Sequence, residues 1–107
     1  MTLNQTLAAA RAKIANPANW TKGWTARDAD GAKVFFDDPA AVCWCPMGAI
    51  DATAQNDDVG WLSKIALRDA IGTIAYIAPW NDCHVRTHAE VIAAFDRAIA
   101  ATQDQTQ

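Results

Sequence analysis

The 107-residue chain reads as a mostly α fold with a minor β part (α+β). About four helices pack as a small bundle, and one short β-hairpin follows the first of them. Three observations point there. Leu3, Leu7, Ala10 and Ile14 recur at i, i+4, i+7 and i+11, one stripe of an amphipathic helix. The capping-box spacing occurs at Thr2–Gln5 and again at Thr87–Glu90, the second directly ahead of an apolar helical period. Between these regions lies Asp30-Gly31, a dipeptide whose tolerance of positive φ suits a tight hairpin turn.

The first helix spans Leu3 to Ala15. Asn16-Pro17 ends it, because proline cannot continue the hydrogen-bond ladder and forces its predecessor out of the α region. From Pro17 to Phe36 the helical period is lost, and two short strands flank Asp30-Gly31. An isolated hairpin is marginal in water, so it must pack on the helices. Asp28-x-Asp30-Gly31 has the start of a calcium-loop pattern but lacks the remaining oxygen ligands and the distant glutamate, so it reads as a turn. Asp38-Pro39 suits a helix start, yet Pro46 interrupts any continuous helix from there. The segment therefore splits into a turn at Pro39–Ala41, a connector at Val42–Cys45, and a second helix from Pro46 to about Ala54. Met47, Ile50 and Ala54 face inward on that helix, and Gly48 and Ala49 admit a close neighbour.

After the polar loop Gln55–Asp58, Asp58 is expected to cap a helix from Val59 or Gly60 to about Ile77. Its stripe is Leu67, Ala70, Ile71, Ile74 and Ala78, with Leu62 and Ala66 alongside. Gly72 weakens its middle by about 1 kcal/mol relative to alanine, the alternative being that Gly72 and the β-branched residues near it fray the last turn or make it an extended piece, and Pro79 closes it. Trp80–Arg86 is read as a loop. The last helix runs from His88 to about Ala101 on Val91, Ile92, Phe95 and Ile99, and Thr102–Gln107 is a polar tail. One domain, 1–101, thus carries a core of Leu7, Ile14, Ile50, Leu67, Ile71, Ile74, Val91, Phe95 and Ile99.

Composition narrows the function classes. With 51% hydrophobic and 20% charged residues, the chain has the means to bury a core and is not a disordered protein. The formal charge is −3, and no two of the nine Lys and Arg residues are adjacent, so direct nucleic-acid binding is disfavoured. Uncharged stretches such as Ala70–Asn81 are too short to span a bilayer, and no secretory leader is visible at Met1–Gln5. The expected location is cytoplasmic. Cys43, Cys45 and Cys83 are an odd number of thiols and read as reduced, since Cys43 and Cys45 are too close for an unstrained mutual disulfide. Trp20, Trp24, Trp44, Trp61 and Trp80 sit at element ends and read as wedges between helices and loops; the alternative is an exposed aromatic binding surface.

Three constellations could carry chemistry. Cys43-x-Cys45 with Cys83-His84-x-x-x-His88 holds five zinc-type ligands, although C-x-C is shorter than the usual structural knuckle. Cys45 at a helix start, with His84 or His88 as base, has the makings of a thiol nucleophile, because a helix N-terminus lowers a thiol pKa. The bland reading of these residues is buried small hydrophobes and surface histidines. The third is Trp80-Asn81-Asp82 with Arg27, Asp28 and Arg86, rimmed by Trp20 and Trp24. It serves either as internal loop bracing or as a partner-binding surface.

The chain resembles a family of small bacterial and phage proteins classed as a domain of unknown function. The resemblance rests on Trp20-x-x-Gly23, Ala26-Arg27-Asp28-Ala29-x-Gly31, Cys45-x-x-Gly48-Ala49, Trp80-Asn81-Asp82 and Arg86-Thr87-x-x-Glu90-Val91. Cys43, Cys83 and His84 lie outside that pattern. The resemblance implies an accessory role in a phage or mobile-element setting, an inhibitor of a host defence component being one such role. The leading expectation is a non-enzymatic accessory protein that contacts an unidentified protein partner, needs no cofactor, and recognises that partner through the hairpin and the Trp80 loop. The alternatives are a zinc- or thiol-dependent small enzyme built on Cys45, Cys83, His84 and His88, and a small-molecule binder with a pocket between hairpin and helices. Oligomeric state is not set by the sequence.

Overall fold

The computed structural model describes residues 2–72 and 76–103. Helix α1, Leu3–Lys13, begins with the expected capping box: Gln5 N–H donates to Thr2 Oγ1 at 3.1 Å, and Thr2 N–H donates back to Gln5 Oε1 at 2.9 Å. It stops two residues earlier than expected, and Asn16 caps a single 3-10 turn, Pro17–Asn19, by accepting from Ala18 N–H.

The hairpin forms as read. Strand β1, Ala26–Arg27, pairs antiparallel with β2, Lys33–Val34, in the register Ala26↔Val34 and Arg27↔Lys33. Asp28 makes the turn: its Oδ1 accepts the N–H groups of Asp30 and Ala32, both at 2.9 Å, while Gly31 takes φ +82°. A third strand, β3 at Cys43–Trp44, pairs on the other edge of β1, giving the order β2-β1-β3. The sequence reads it as a connector because two residues carry no alternation. Asp38-Pro39 makes only a turn, with Ala40 N–H donating to Asp38 Oδ1 at 2.8 Å.

Helix α2, Pro46–Thr53, is capped by the Cys45 thiol, whose sulfur accepts from Gly48 N–H at 3.3 Å. Gly48 lies directly under β1, where an added Cβ would stand 2.1 Å from the Thr25 carbonyl oxygen. Helix α3, Asp57–Ile71, starts one residue before Asp58, because Asn56 is the cap and accepts from Val59 N–H. It also ends well short of Ile77. Gly72 adopts φ +75°, the left-handed conformation that terminates helices, so it stops the helix rather than weakening its middle.

A second correction follows from the first. Trp80-Asn81-Asp82 is no loop but the end of a short helix α4, Ile77–Asp82. Pro79 fits there because it lies in the first turn, where backbone N–H groups have no partner inside the helix. Helix α5, His88–Ala101, carries the second capping box, with Glu90 N–H donating to Thr87 Oγ1 at 3.2 Å and Thr87 N–H to Glu90 Oε1 at 2.9 Å. Thr102, expected to begin a polar tail, is buried and accepts from Asn4 Nδ2 at 3.2 Å, tying the end of α5 to the start of α1.

Leu7, Ile14, Ile50, Leu67, Val91 and Phe95 are all fully buried in one cluster. Ile71 and Ile99 sit at its margin, and Ile74 lies outside the described residues. Trp20, Trp44 and Trp80 pack against the cluster as wedges, whereas Trp24 and Trp61 are exposed. No described helix is long and apolar enough to cross a membrane.

Candidate functional site

The polar cluster read from the sequence does assemble, and it binds itself. Asn81 is fully buried; its Oδ1 accepts the Trp20 indole N–H at 2.7 Å, and its Nδ2 donates to the Thr21 carbonyl at 3.0 Å. Asp82 Oδ1 accepts Gly23 N–H at 2.8 Å, and Lys22 Nζ donates to the Cys83 carbonyl at 2.8 Å. Helix α4 therefore clamps the Trp20–Gly23 segment to the body of the protein. Arg27 donates to the carbonyls of Gly31 and Lys22, bracing both sides of the hairpin. Arg86 stacks over the Trp80 ring at 4.3 Å, donates to the Trp80 carbonyl at 2.9 Å and pairs with Glu90 at 3.0 Å. Asp28 is occupied in the hairpin turn. Of the eight residues expected on a partner surface, only Trp24 and Asp82 are exposed, and Lys33 Nζ lies 5.1 Å from the Trp24 ring centre.

The thiols and imidazoles do not converge. Among the described residues no group of three or more His, Cys, Asp and Glu side chains is placed to hold a metal ion. Cys43 Sγ faces the Arg27 carbonyl at 3.8 Å, and His84 is exposed. His88 Nε2 lies 2.7 Å from the Ile14 carbonyl, which can only accept, so this nitrogen carries the proton. Cys45 does stand at a helix start, but burial pushes its thiol pKa up. Backbone bonds from Gly48 and Met47 oppose that rise, and the charges of Asp82 and Asp51 add to it. The thiolate that nucleophilic chemistry needs is disfavoured.

Two depressions flank Met47. The first is a cleft of about 360 Å³ between the β1 end of the hairpin and helices α2 and α4, lined by Trp24, Thr25, Cys45, Asp51 and Asp82 among others. The second is an apolar groove of about 250 Å³ between α3 and α4. Ile65, Ile77 and Met47 line it with two aromatic rings, Trp61 at 65% exposure and Tyr76 at 75%. Lys64, paired with Asp51 at 2.7 Å, and Arg68 supply the charge along it.

Residue order explains why this groove escapes a pattern reading. The inward stripe of α3 is Gly60, Ser63 and Leu67, mostly small residues, because neighbouring elements press close there. Its large apolar side chains point the other way: Trp61, Leu62 and Ile65 share the exposed face with Asp58, Arg68 and Asp69. Leu62, expected beside the buried stripe, is 50% exposed. A count of two apolar stripes on one helix, one of them holding a tryptophan, is the signal that could have found it.

No curated protein and no solved structure matches this chain. A family model does match, over residues 1–101, which takes in every helix and strand described above. The chain belongs to DUF6197, a family of unknown function.

Proposed function

We propose that this chain is a non-catalytic cytoplasmic module that acts by contact with another protein, docking through the α3–α4 groove. The observation that carries the reading is the pair Trp61 and Tyr76, two aromatic side chains more than half exposed beside an apolar groove. Exposed aromatic groups around an apolar floor are the usual anchors of protein interfaces. The partner's complementary feature is a bulky apolar side chain that the groove accepts. The protonated thiol of Cys45 and the engaged imidazole of His88 favour this reading over a thiol enzyme. An accessory protein of a phage or mobile element suits such a module.

The contact surface thus lies in the α3–α4 groove, not on the hairpin and the Trp80 segment where the sequence led us to expect it. The test is a comparison of tagged wild type with Trp61→Ala/Tyr76→Ala and with Trp80→Ala. The double variant is expected to unfold at the wild-type temperature yet lose its partner in pulldown. Equal capture by wild type and double variant contradicts the reading.

A further inference from the structure

Eight large apolar side chains stand exposed among the described residues; three of them, Trp61, Leu62 and Ile65, lie on α3, and a fourth, Tyr76, lines the groove beside it. Helix α3 is a ridge between two hollows. The α3–α4 groove runs along one flank, and a depression of about 410 Å³ lined by Leu3, Leu62, Ala66 and Ala101 among others lies along the other, with Ile65 bordering both. The crest of the ridge reads Asp58, Trp61, Ile65 and Arg68, and all four are exposed. Their steps of three, four and three residues are the seam spacing of a helix that packs lengthwise on another. An acid stands at one end of the seam, a base at the other, and two bulky apolar groups between them.

We infer that the occupant of this face is a second copy of the chain, the two α3 helices packing antiparallel about a two-fold axis level with Ser63; the inference rests on the α3–α4 contact proposed above and names its partner. In that register Asp58 of one copy faces Arg68 of the other, and Trp61 faces Ile65, so every layer of the seam is complementary. A parallel pairing would set Asp58 against Asp58 and Arg68 against Arg68. The antiparallel arrangement also opposes the two helix dipoles, with the acidic first turn, Asp57 and Asp58, beside the last turn of the other copy, which carries Arg68. A guanidinium has five N–H donors, enough to serve its own chain and a neighbour. Trp61, Tyr76, Leu62 and Ile65, at 65%, 75%, 50% and 37% exposure, leave roughly 450 Å² of largely apolar surface per copy. With the flanking Asp58, Arg68 and Asp69 the paired interface reaches roughly 1,200 Å² in total, the lower bound for a stable, specific contact.

Sedimentation equilibrium of the full chain from about 1 to 500 µM reads the association, and the mass is expected to rise from one chain to two with a Kd of about 20 µM. Trp61→Ala is expected to weaken pairing at least about 30-fold, and Ile65→Ser is a second route to the same loss. Asp58→Arg and Arg68→Asp, each alone, set like charges face to face and are expected to weaken it about tenfold; the double exchange is expected to return within about threefold of wild type. Far-UV circular dichroism of each variant separates loss of pairing from loss of fold. A chain that stays monomeric at about 500 µM, a dimer indifferent to both Trp61→Ala and Ile65→Ser, or a double exchange as weak as its singles overturns the inference. A monomeric wild type whose captured protein is lost in Trp61→Ala/Tyr76→Ala overturns self-pairing while the contact reading stands; a monomeric wild type with capture unchanged overturns both.

Discussion

Gly48→Ala sets two well-understood effects against each other. In a helix interior the change favours folding by about 1 kcal/mol, because alanine loses less backbone freedom. At this position the new methyl carbon would stand 2.1 Å from the Thr25 carbonyl oxygen, 2.6 Å from its hydroxyl and 2.9 Å from its carbonyl carbon. Two of these atoms are backbone, so no rotamer change relieves the overlap. The same Thr25 carbonyl accepts from Cys45 N–H at 3.1 Å, the bond that joins the end of β1 to the start of α2. Relief requires α2 to move away from the sheet by more than an ångström, which weakens that bond and opens the packing beneath it. Overpacking costs about 1–3 kcal/mol, and a weakened buried bond adds about 1 kcal/mol. The overlap wins over the propensity gain by roughly 1–3 kcal/mol, equivalent to a Tm fall of roughly 5–20 °C in a domain of this size. Differential scanning calorimetry reads it directly. A Tm equal to or above that of the wild type refutes the close approach of α2 to β1.

Other perturbations follow from the same geometry. Asn81→Ala strands the Trp20 indole N–H and the Thr21 carbonyl, and is expected to cost roughly 2–4 kcal/mol by denaturant titration; Trp80→Phe, which leaves those bonds in place, costs less. Cys45 is buried with its thiol pKa raised, first by burial, so iodoacetamide at neutral pH is expected to label Cys43 and Cys83 before it by mass spectrometry. A raised thiol pKa contributes stability below the unfolded value of 9.0 that is lost as pH climbs through the folded value, so Cys45→Ala is expected to flatten the alkaline limb of a stability–pH curve. Glu90 behaves oppositely. Bonds from Thr87 N–H and hydroxyl, then Arg86, lower its pKa below 4.5, so its stabilisation is present above that value and fades as pH falls; Glu90→Gln is expected to reduce the acid-limb slope.

Local chemistry was the legible part of this fold. Both capping boxes, the Asp30-Gly31 turn and the start of α2 at Pro46 rest on contacts within a few residues, and the sequence displays all of them. Six of the nine expected core residues are fully buried for the same reason: their stripes follow the helical period. The misreadings arose where distant contacts decide. Strand β3 exists because β1 offers it an edge, not because Cys43-Trp44 has a strand pattern. Helix α4 exists because Asn81 and Asp82 grip the Trp20–Gly23 segment, which no local window reveals. At Gly72 two local roles competed, interior weakening and termination, and the positive φ shows which won. The aromatic residues divided likewise: Trp20 and Trp80 found partners in the clamp, while Trp61 was turned outward by the small residues that face the core of α3.

Photocrosslinking in the cell that natively expresses the chain tests the protein-contact claim most directly. A photoreactive phenylalanine analogue replaces Trp61 in one variant and Ala93, exposed on α5 outside the groove, in another. A discrete protein adduct from position 61 that is missing from position 93 is the predicted result. No adduct at 61, or the same adducts at both positions, contradicts the assignment of the α3–α4 groove as the docking surface.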